Sequence, residues 1–171
     1  MKVIFLDIYG VMVTRKSEEL GALRSREEYA SFCSSFYWNH RVDMECMKRL
    51  ATVVKETGAL LVITSEWRKD ANQMAGLKRA LRDVELPARR IQRTPVLGDR
   101  GQEIQAWLDE HDNGEETDQS HPDYVSNYIV LDDNHVSGGH TQLSNRPSHY
   151  HGGLLDEHVG EAIIVLNDTN L

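Results

Sequence analysis

At 171 residues the chain has the length of one domain. A chain of this size buries about 70% of the surface its unfolded form exposes, so it needs neither disulfides nor a structural metal to stay folded. Apolar residues make up 40% and charged residues 27%, which excludes wholesale disorder and fibrous architectures. The 19 Lys and Arg against 27 Asp and Glu give a net charge of −8 with His neutral, which excludes an extensive nucleic-acid surface but leaves room for a small basic groove.

In chain order, Val3 to Leu6 is a short, fully apolar run ending at Asp7, the pattern of a buried strand in a parallel sheet. The chain enters this strand at once, without the charged region and cleavage site of a signal peptide, and no run approaches the roughly 20 apolar residues that span a bilayer. A cytoplasmic location with no membrane partner is expected. Residues 13–42 lack clear periodicity and hold the aromatic knot Phe36-Tyr37-Trp38; they read as a small flap or cap-like insertion in a single domain spanning 1–171. Val42, Met44, Met47, Leu50, Val53 and Val54 then recur at helical spacing, with Asp43 as N-cap and Gly58 as stop.

Ala59 to Ile63 predicts a second buried strand ending at Thr64-Ser65, followed by a helix over 69–82 and a weaker extended segment from Arg90 to Val96. Gln102 to His111 predicts an amphipathic helix with Ile104, Trp107 and Leu108 inward. Residues 112–126 read as a polar loop, and Tyr128 to Leu131 as a third apolar strand stopping at Asp132-Asp133. A loop rich in Gly, Ser and His runs to about 153, then a short helix and a last strand, Ala162 to Leu166. Alternating strands and helices place the chain in the α/β class, a Rossmann-like three-layer sandwich around a mostly parallel sheet.

Three apolar strands therefore end in Asp7, in Thr64-Ser65 and in Asp132-Asp133. Open parallel sheets bind ligands outside the carboxyl ends of their strands. Asp7 with Asp132 and Asp133 suits a hard cation such as Mg²⁺, which takes oxygen ligands and is held by one or two carboxylates plus substrate phosphate. Gly10 lets the chain turn sharply beneath a ligand, and backbone N–H groups in such a turn cradle an anion. A carboxylate beside a metal and an anion site can act as a nucleophile.

These residues resemble the haloacid dehalogenase-like (HAD) hydrolase superfamily. Val62 to Arg68, Arg100 to Leu108 and Tyr128 to Asp133 look like its small, nearly capless branch, which includes HAD domains of RNA-repair-associated proteins. The resemblance implies Asp7 as nucleophile and Mg²⁺ ligand, the Tyr9 backbone carbonyl as a second ligand, and Asp133 with Asp132 completing the metal site. It also implies that Thr64 hydrogen-bonds the transferring phosphoryl group with Ser65 beside it, that Arg100 neutralises nucleophile and phosphate, and that Arg68 contacts substrate phosphate. The expected activity is a Mg²⁺-dependent phosphatase working through an aspartyl-phosphate. Its substrate would be a phosphorylated small molecule or a nucleic-acid terminus.

Tyr9 departs from that pattern, because phosphatases of this superfamily carry a second Asp two residues after the nucleophile as acid/base. With a pKa near 10, tyrosine is a poor base at neutral pH, so slowed turnover is expected. One alternative is an impaired domain that binds phosphorylated ligands or nucleic-acid ends without turnover. Another is a metal-independent carbon–halogen hydrolase, because Asp-x-Tyr-Gly also resembles the true dehalogenases; the Asp132-Asp133 pair argues against it. Among weaker signals, His135 is the best-placed substitute acid/base. His149, His151 and Asp156 have no known zinc spacing and read as loop. Phe36-Tyr37-Trp38 could stack on a base or form a mini-core, and Arg79, Arg82, Arg89, Arg90 and Arg93 form the most basic stretch. Cys33 and Cys46 have neither metal nor redox spacing and read as packing thiols.

Overall fold

In the computed structural model, which describes residues 1–27, 35–88, 91–111 and 124–168, strands and helices alternate along the chain. Strand β1 is Lys2–Leu6, and helices α1 (Arg15–Glu27) and α2 (Ser35–Arg41) follow it. Helix α3 (Met44–Thr57) leads to β2 (Leu60–Ile63), a 3₁₀ turn (Glu66–Lys69) and α4 (Ala71–Asp83). The remainder is β3 (Gln92–Arg93), α5 (Arg100–His111), β4 (Asn127–Leu131) and α6 (Asp156–Asn167). The sheet runs β3-β2-β1-β4 with every neighbouring pair parallel. Among the described residues no helix is long and apolar enough to cross a membrane.

Alternation along each strand divides the interior into two cores, as a pleated sheet requires. Ile4, Leu6, Leu61, Ile63, Ile129 and Leu131 point to one face, where they pack with Met47 and Leu50 of α3, Leu77 and Leu81 of α4, and Ala162 and Leu166 of α6. Val3, Phe5, Val62 and Val130 point to the other, against Ile104, Trp107 and Leu108 of α5. Phe5 meets the edge of Trp107 at 5.3 Å, an aromatic contact at the centre of that second layer. The result is the α/β/α sandwich expected of the sequence.

Helix α3 begins and ends where its caps dictate. Asp43 accepts a hydrogen bond from the Glu45 amide, and Gly58 closes the helix in the left-handed region at φ 69°. The insertion, lacking periodicity in sequence, is nonetheless helical at both described ends, as α1 and α2. Two rings of its aromatic knot pack against the core: Tyr37 meets the edge of Trp38 at 5.1 Å, and Trp38 the edge of the core residue Trp67 at 5.3 Å, while the Phe36 side chain lies outside the described residues. Arg41 caps both rings, 5.5 and 5.6 Å from their centroids. Cys33, Arg89, Arg90 and positions 112–123 of the polar loop lie outside the described residues.

The segment Ala162 to Leu166, expected as a strand, is instead the second half of α6. A strand would put Ala162, Ile164 and Leu166 on one face, yet Ile164 is 71% exposed while Ala162 and Leu166 are fully buried. Burial recurs at His158, Ala162 and Leu166, a spacing of four, so the apolar stripe is helical despite its β-branched residues. Of the extended segment expected from Arg90 to Val96, the described part, from Ile91, holds only the two residues of β3, parallel to β2. In the last turn of α4, Arg82 is exposed toward the amino ends of the strands, at the opposite end from the acidic strand termini.

Candidate active site

Register alone brings the strand-end residues together. Leu6 pairs with Ile63 on one side and with Leu131 on the other, so Asp7, Thr64 and Asp132 are each one step beyond the same row. The ladder continues through that step: the Asp7 amide donates to Leu131 O at 2.9 Å, and the Thr64 amide to Leu6 O at 3.0 Å. Ligand oxygens of Asp7, Asp132 and Asp133 lie within 4.8 Å of one another, forming a metal-competent group among the described residues.

Arg100, the first residue of α5, closes this group. Its guanidinium donates to Asp7 Oδ1 at 2.8 Å and also to Asp132 Oδ2. Burial disfavours the charge on Arg100, but the two carboxylates more than offset it and hold the group protonated. Asp7 is 5% exposed, and burial pushes its pKa up to about 6. Arg100 and a hydrogen bond from the Ser65 hydroxyl act against that rise, while Asp132 adds to it. Burial and the neighbouring Asp132 likewise raise Asp133. Three acidic groups held this close gain from a bound divalent cation, and their all-oxygen donor set fits Mg²⁺.

Thr64 supplies a second indication of a ligand. Its hydroxyl is completely buried and has no hydrogen-bond partner, although a buried hydroxyl normally finds one. An oxygen of a phosphoryl group would satisfy it. Gly10 makes room beside Asp133: its φ is 77°, and a Cβ built there would lie 2.2 Å from Asp133 Oδ2. Beyond it, the amides of Met12 and Val13 both donate to Ile8 O at 2.8 Å, tightening the turn after β1. Gly10→Ala is therefore expected to lose about 1–2 kcal/mol of stability from backbone strain alone and to displace the Asp133 carboxylate. Thermal unfolding in metal-free buffer and divalent-cation titration would check the two effects.

Arg68 departs from expectation. Its guanidinium is turned away from solvent, with 2% side-chain exposure, and meets Glu103 Oε2 at 2.7 Å. It also donates to the carbonyls of Thr64, Ser65 and Pro95. A substrate phosphate would have to displace a buried carboxylate to reach it, so Arg68 is a strut behind the Thr64-Ser65 turn. Glu103 completes the strut by accepting from the Leu97 and Gly98 amides, at 2.9 and 3.2 Å, in the loop that leads to Arg100.

Tyr9 projects outward, 46% exposed, and its hydroxyl donates to Glu18 Oε2 at 2.8 Å. Its ring stacks on His149 at 4.9 Å and 12°, and His149 Nε2 lies 3.0 Å from the same Glu18 oxygen. Arg41 pairs with the other Glu18 oxygen. The loop carrying His149 is brought here by backbone bonds, Arg15 N to His149 O and Leu154 N to Val11 O, each 3.0 Å. The sequence offered no local signal for Glu18, which sits in the unperiodic insertion, and did not distinguish His149 from four other late histidines. Of those, His135 is exposed on the loop beyond the Asp pair. His140 is buried between Gly101 O and the Tyr128 hydroxyl, at 2.9 and 3.1 Å. Asp156, the first residue of α6, pairs with Arg49 at 2.7 Å.

Compared with known families, the chain matches over residues 3–159 the one described as the HAD domain in Swiss Army Knife RNA repair proteins. No curated protein and no solved structure matches significantly.

Proposed function

Because the chain belongs to the family of HAD domains found in Swiss Army Knife RNA repair proteins, we propose that it is a hydrolase of phosphomonoesters working through Asp7 with Mg²⁺. The observation that carries this reading is the cluster of Asp7, Asp132 and Asp133 within 4.8 Å, closed by Arg100. Asp7, Asp132, Asp133 and the Tyr9 backbone carbonyl would hold the ion, which supplies charge neutralisation at the phosphate.

The remaining steps belong to the chain's own side chains. An Asp7 oxygen attacks phosphorus as the bond to the ester oxygen breaks, leaving a phosphoryl group on Asp7. Arg100 neutralises charge shared between Asp7 and the phosphoryl oxygens, the Thr64 hydroxyl donates to one of those oxygens, and the Ser65 hydroxyl keeps Asp7 oriented. Water then attacks phosphorus, releasing inorganic phosphate and regenerating the carboxylate. The departing oxygen needs a proton, and position 9 offers a phenol already bonded to Glu18 rather than a carboxylic acid. A general acid/base contributes about 10²–10⁴-fold, so alkyl phosphates should turn over slowly while aryl phosphates, which leave without help, turn over faster. A cytoplasmic setting, where a buried thiol such as Cys46 stays reduced, suits this reading.

Engagement of Tyr9 by Glu18 favours one second reading, a pocket that binds phosphorylated ligands without turnover. Hydrolysis of an aryl phosphate by the natural protein and by Tyr9→Asp, each with and without Mg²⁺, separates them. Mg²⁺-dependent activity in the natural protein is the expected result. Silence there with activity gained in Tyr9→Asp would establish the binding reading. Halide release from a haloacid in EDTA would overturn both in favour of carbon–halogen hydrolysis.

A further inference from the structure

Six large apolar side chains are exposed among the described residues: Tyr9, Leu20, Val96, Leu97, Tyr150 and Ile164. Two of them, Tyr9 on the loop after β1 and Tyr150 on the loop after β4, meet the same ring, that of His149. Exposed rings are ordinary when scattered, but these two are gathered on one histidine. Tyr9 is also fixed. Its hydroxyl is bonded to Glu18, its ring stacks on His149, and Glu18 holds the histidine as well. Tyr150, 74% exposed, meets the edge of the His149 ring at 5.1 Å and 85° and extends this aromatic surface.

We propose that Tyr9, His149 and Tyr150 form a stacking platform for the base of a single phosphorylated terminal nucleotide whose phosphate enters the crevice at Asp7 and Arg100. The proposal rests on the phosphomonoester reading above and names its substrate class. Continuity carries it: Tyr9 is two residues from Asp7, and the next residue after it, Gly10, lies against the Asp133 carboxylate. A ring that is already ordered loses little entropy on binding, which favours stacking on it. The net charge of −8 disfavours a long phosphate backbone, so the platform serves one terminal nucleotide rather than a duplex. The aromatic knot of the insertion does not compete for this role, because Trp38 packs on Trp67 and Arg41 covers both Tyr37 and Trp38.

The test uses a phosphorylated trinucleotide with 2-aminopurine as the base of its terminal, phosphate-bearing nucleotide, whose fluorescence is quenched on stacking. The natural protein and Tyr150→Phe should quench it with equal affinity, and Tyr150→Ala should bind about tenfold more weakly, the loss expected for one stacking ring. Glycerol phosphate, which carries no ring, should compete with the same inhibition constant in all three. Absence of quenching, unchanged affinity in Tyr150→Ala, or equal weakening toward glycerol phosphate would overturn the platform. Tighter binding of a phosphotyrosine peptide than of the trinucleotide would overturn the choice of occupant. Quenching that depends on Tyr150 without hydrolysis of any phosphate would sustain the platform while sinking the hydrolase reading. Hydrolysis of aryl phosphate without quenching would do the reverse.

Discussion

Asp7→Asn is expected to abolish hydrolysis, by at least about 10³-fold, and at the same time to make the metal-free protein more stable at neutral pH. The carboxyl of Asp7 titrates near pH 6 in the folded protein because burial penalises its charge, against 3.8 for the ordinary group. A raised carboxyl favours the fold only while protonated. Below about pH 4 both folded and unfolded chains carry the proton, and Asp7 costs nothing. Between about 4 and 6 the folded chain retains a proton that the unfolded chain has lost, so stability falls as pH rises. Above 6 the cost is complete, on the order of 2–3 kcal/mol. Asparagine keeps the shape without the titration. Its advantage should grow from near zero at pH 4 to about 4–12 °C in thermal midpoint at pH 7.5, read by calorimetry in EDTA. Mg²⁺ should narrow the gap by stabilising only the natural protein. A gap that does not change with pH would refute the account of a buried, destabilising nucleophile.

The second large effect lies behind the site, at Arg68 and Glu103. Their side chains are 2% and 5% exposed, and each satisfies backbone groups besides its partner. Removing one member leaves the other charge buried and unpaired, which costs about 3–5 kcal/mol. Glu103→Ala should be the more damaging, because it also strips the Leu97 and Gly98 amides of their acceptor. Arg68→Met combined with Glu103→Leu should recover much of the loss, since no charge is then stranded. Urea unfolding of Arg68→Met, Glu103→Leu and the double variant measures the coupling. Losses below about 1 kcal/mol in both single variants would show that the pair is solvated and weak. Because Glu103 anchors the loop entering α5, the surviving fraction of Glu103→Ala should also turn over more slowly than Arg100's own chemistry explains.

Asp7, Thr64 and the Asp132-Asp133 pair were legible before any fold was known, because each ends a short apolar run with the pattern of a buried strand. Asp43 and Gly58 were legible as caps for the same local reason. The segment from Ala162 to Leu166 was misread because five apolar residues fit either a short strand or one side of a helix. Only the exposure of Ile164 and the packing of Ala162 and Leu166 against the sheet resolve it. Arg68 had the right neighbours in sequence for a phosphate contact, yet a carboxylate 35 positions later claims it. Glu18 and His149, separated by 131 positions, carried no mutual signal at all.

By itself, then, the sequence determined the alternation of strands and helices, the family and the acidic strand ends, since periodicity and chain order encode burial over a few residues. The tertiary structure decided the rest: that Arg100 closes on Asp7 and Asp132, that Arg68 turns to Glu103, and that Glu18 gathers Tyr9, His149 and Arg41. Those contacts join residues distant in the chain, and charge pairs of that kind form only where parallel strand register and loop closure bring complementary groups into a space that excludes water.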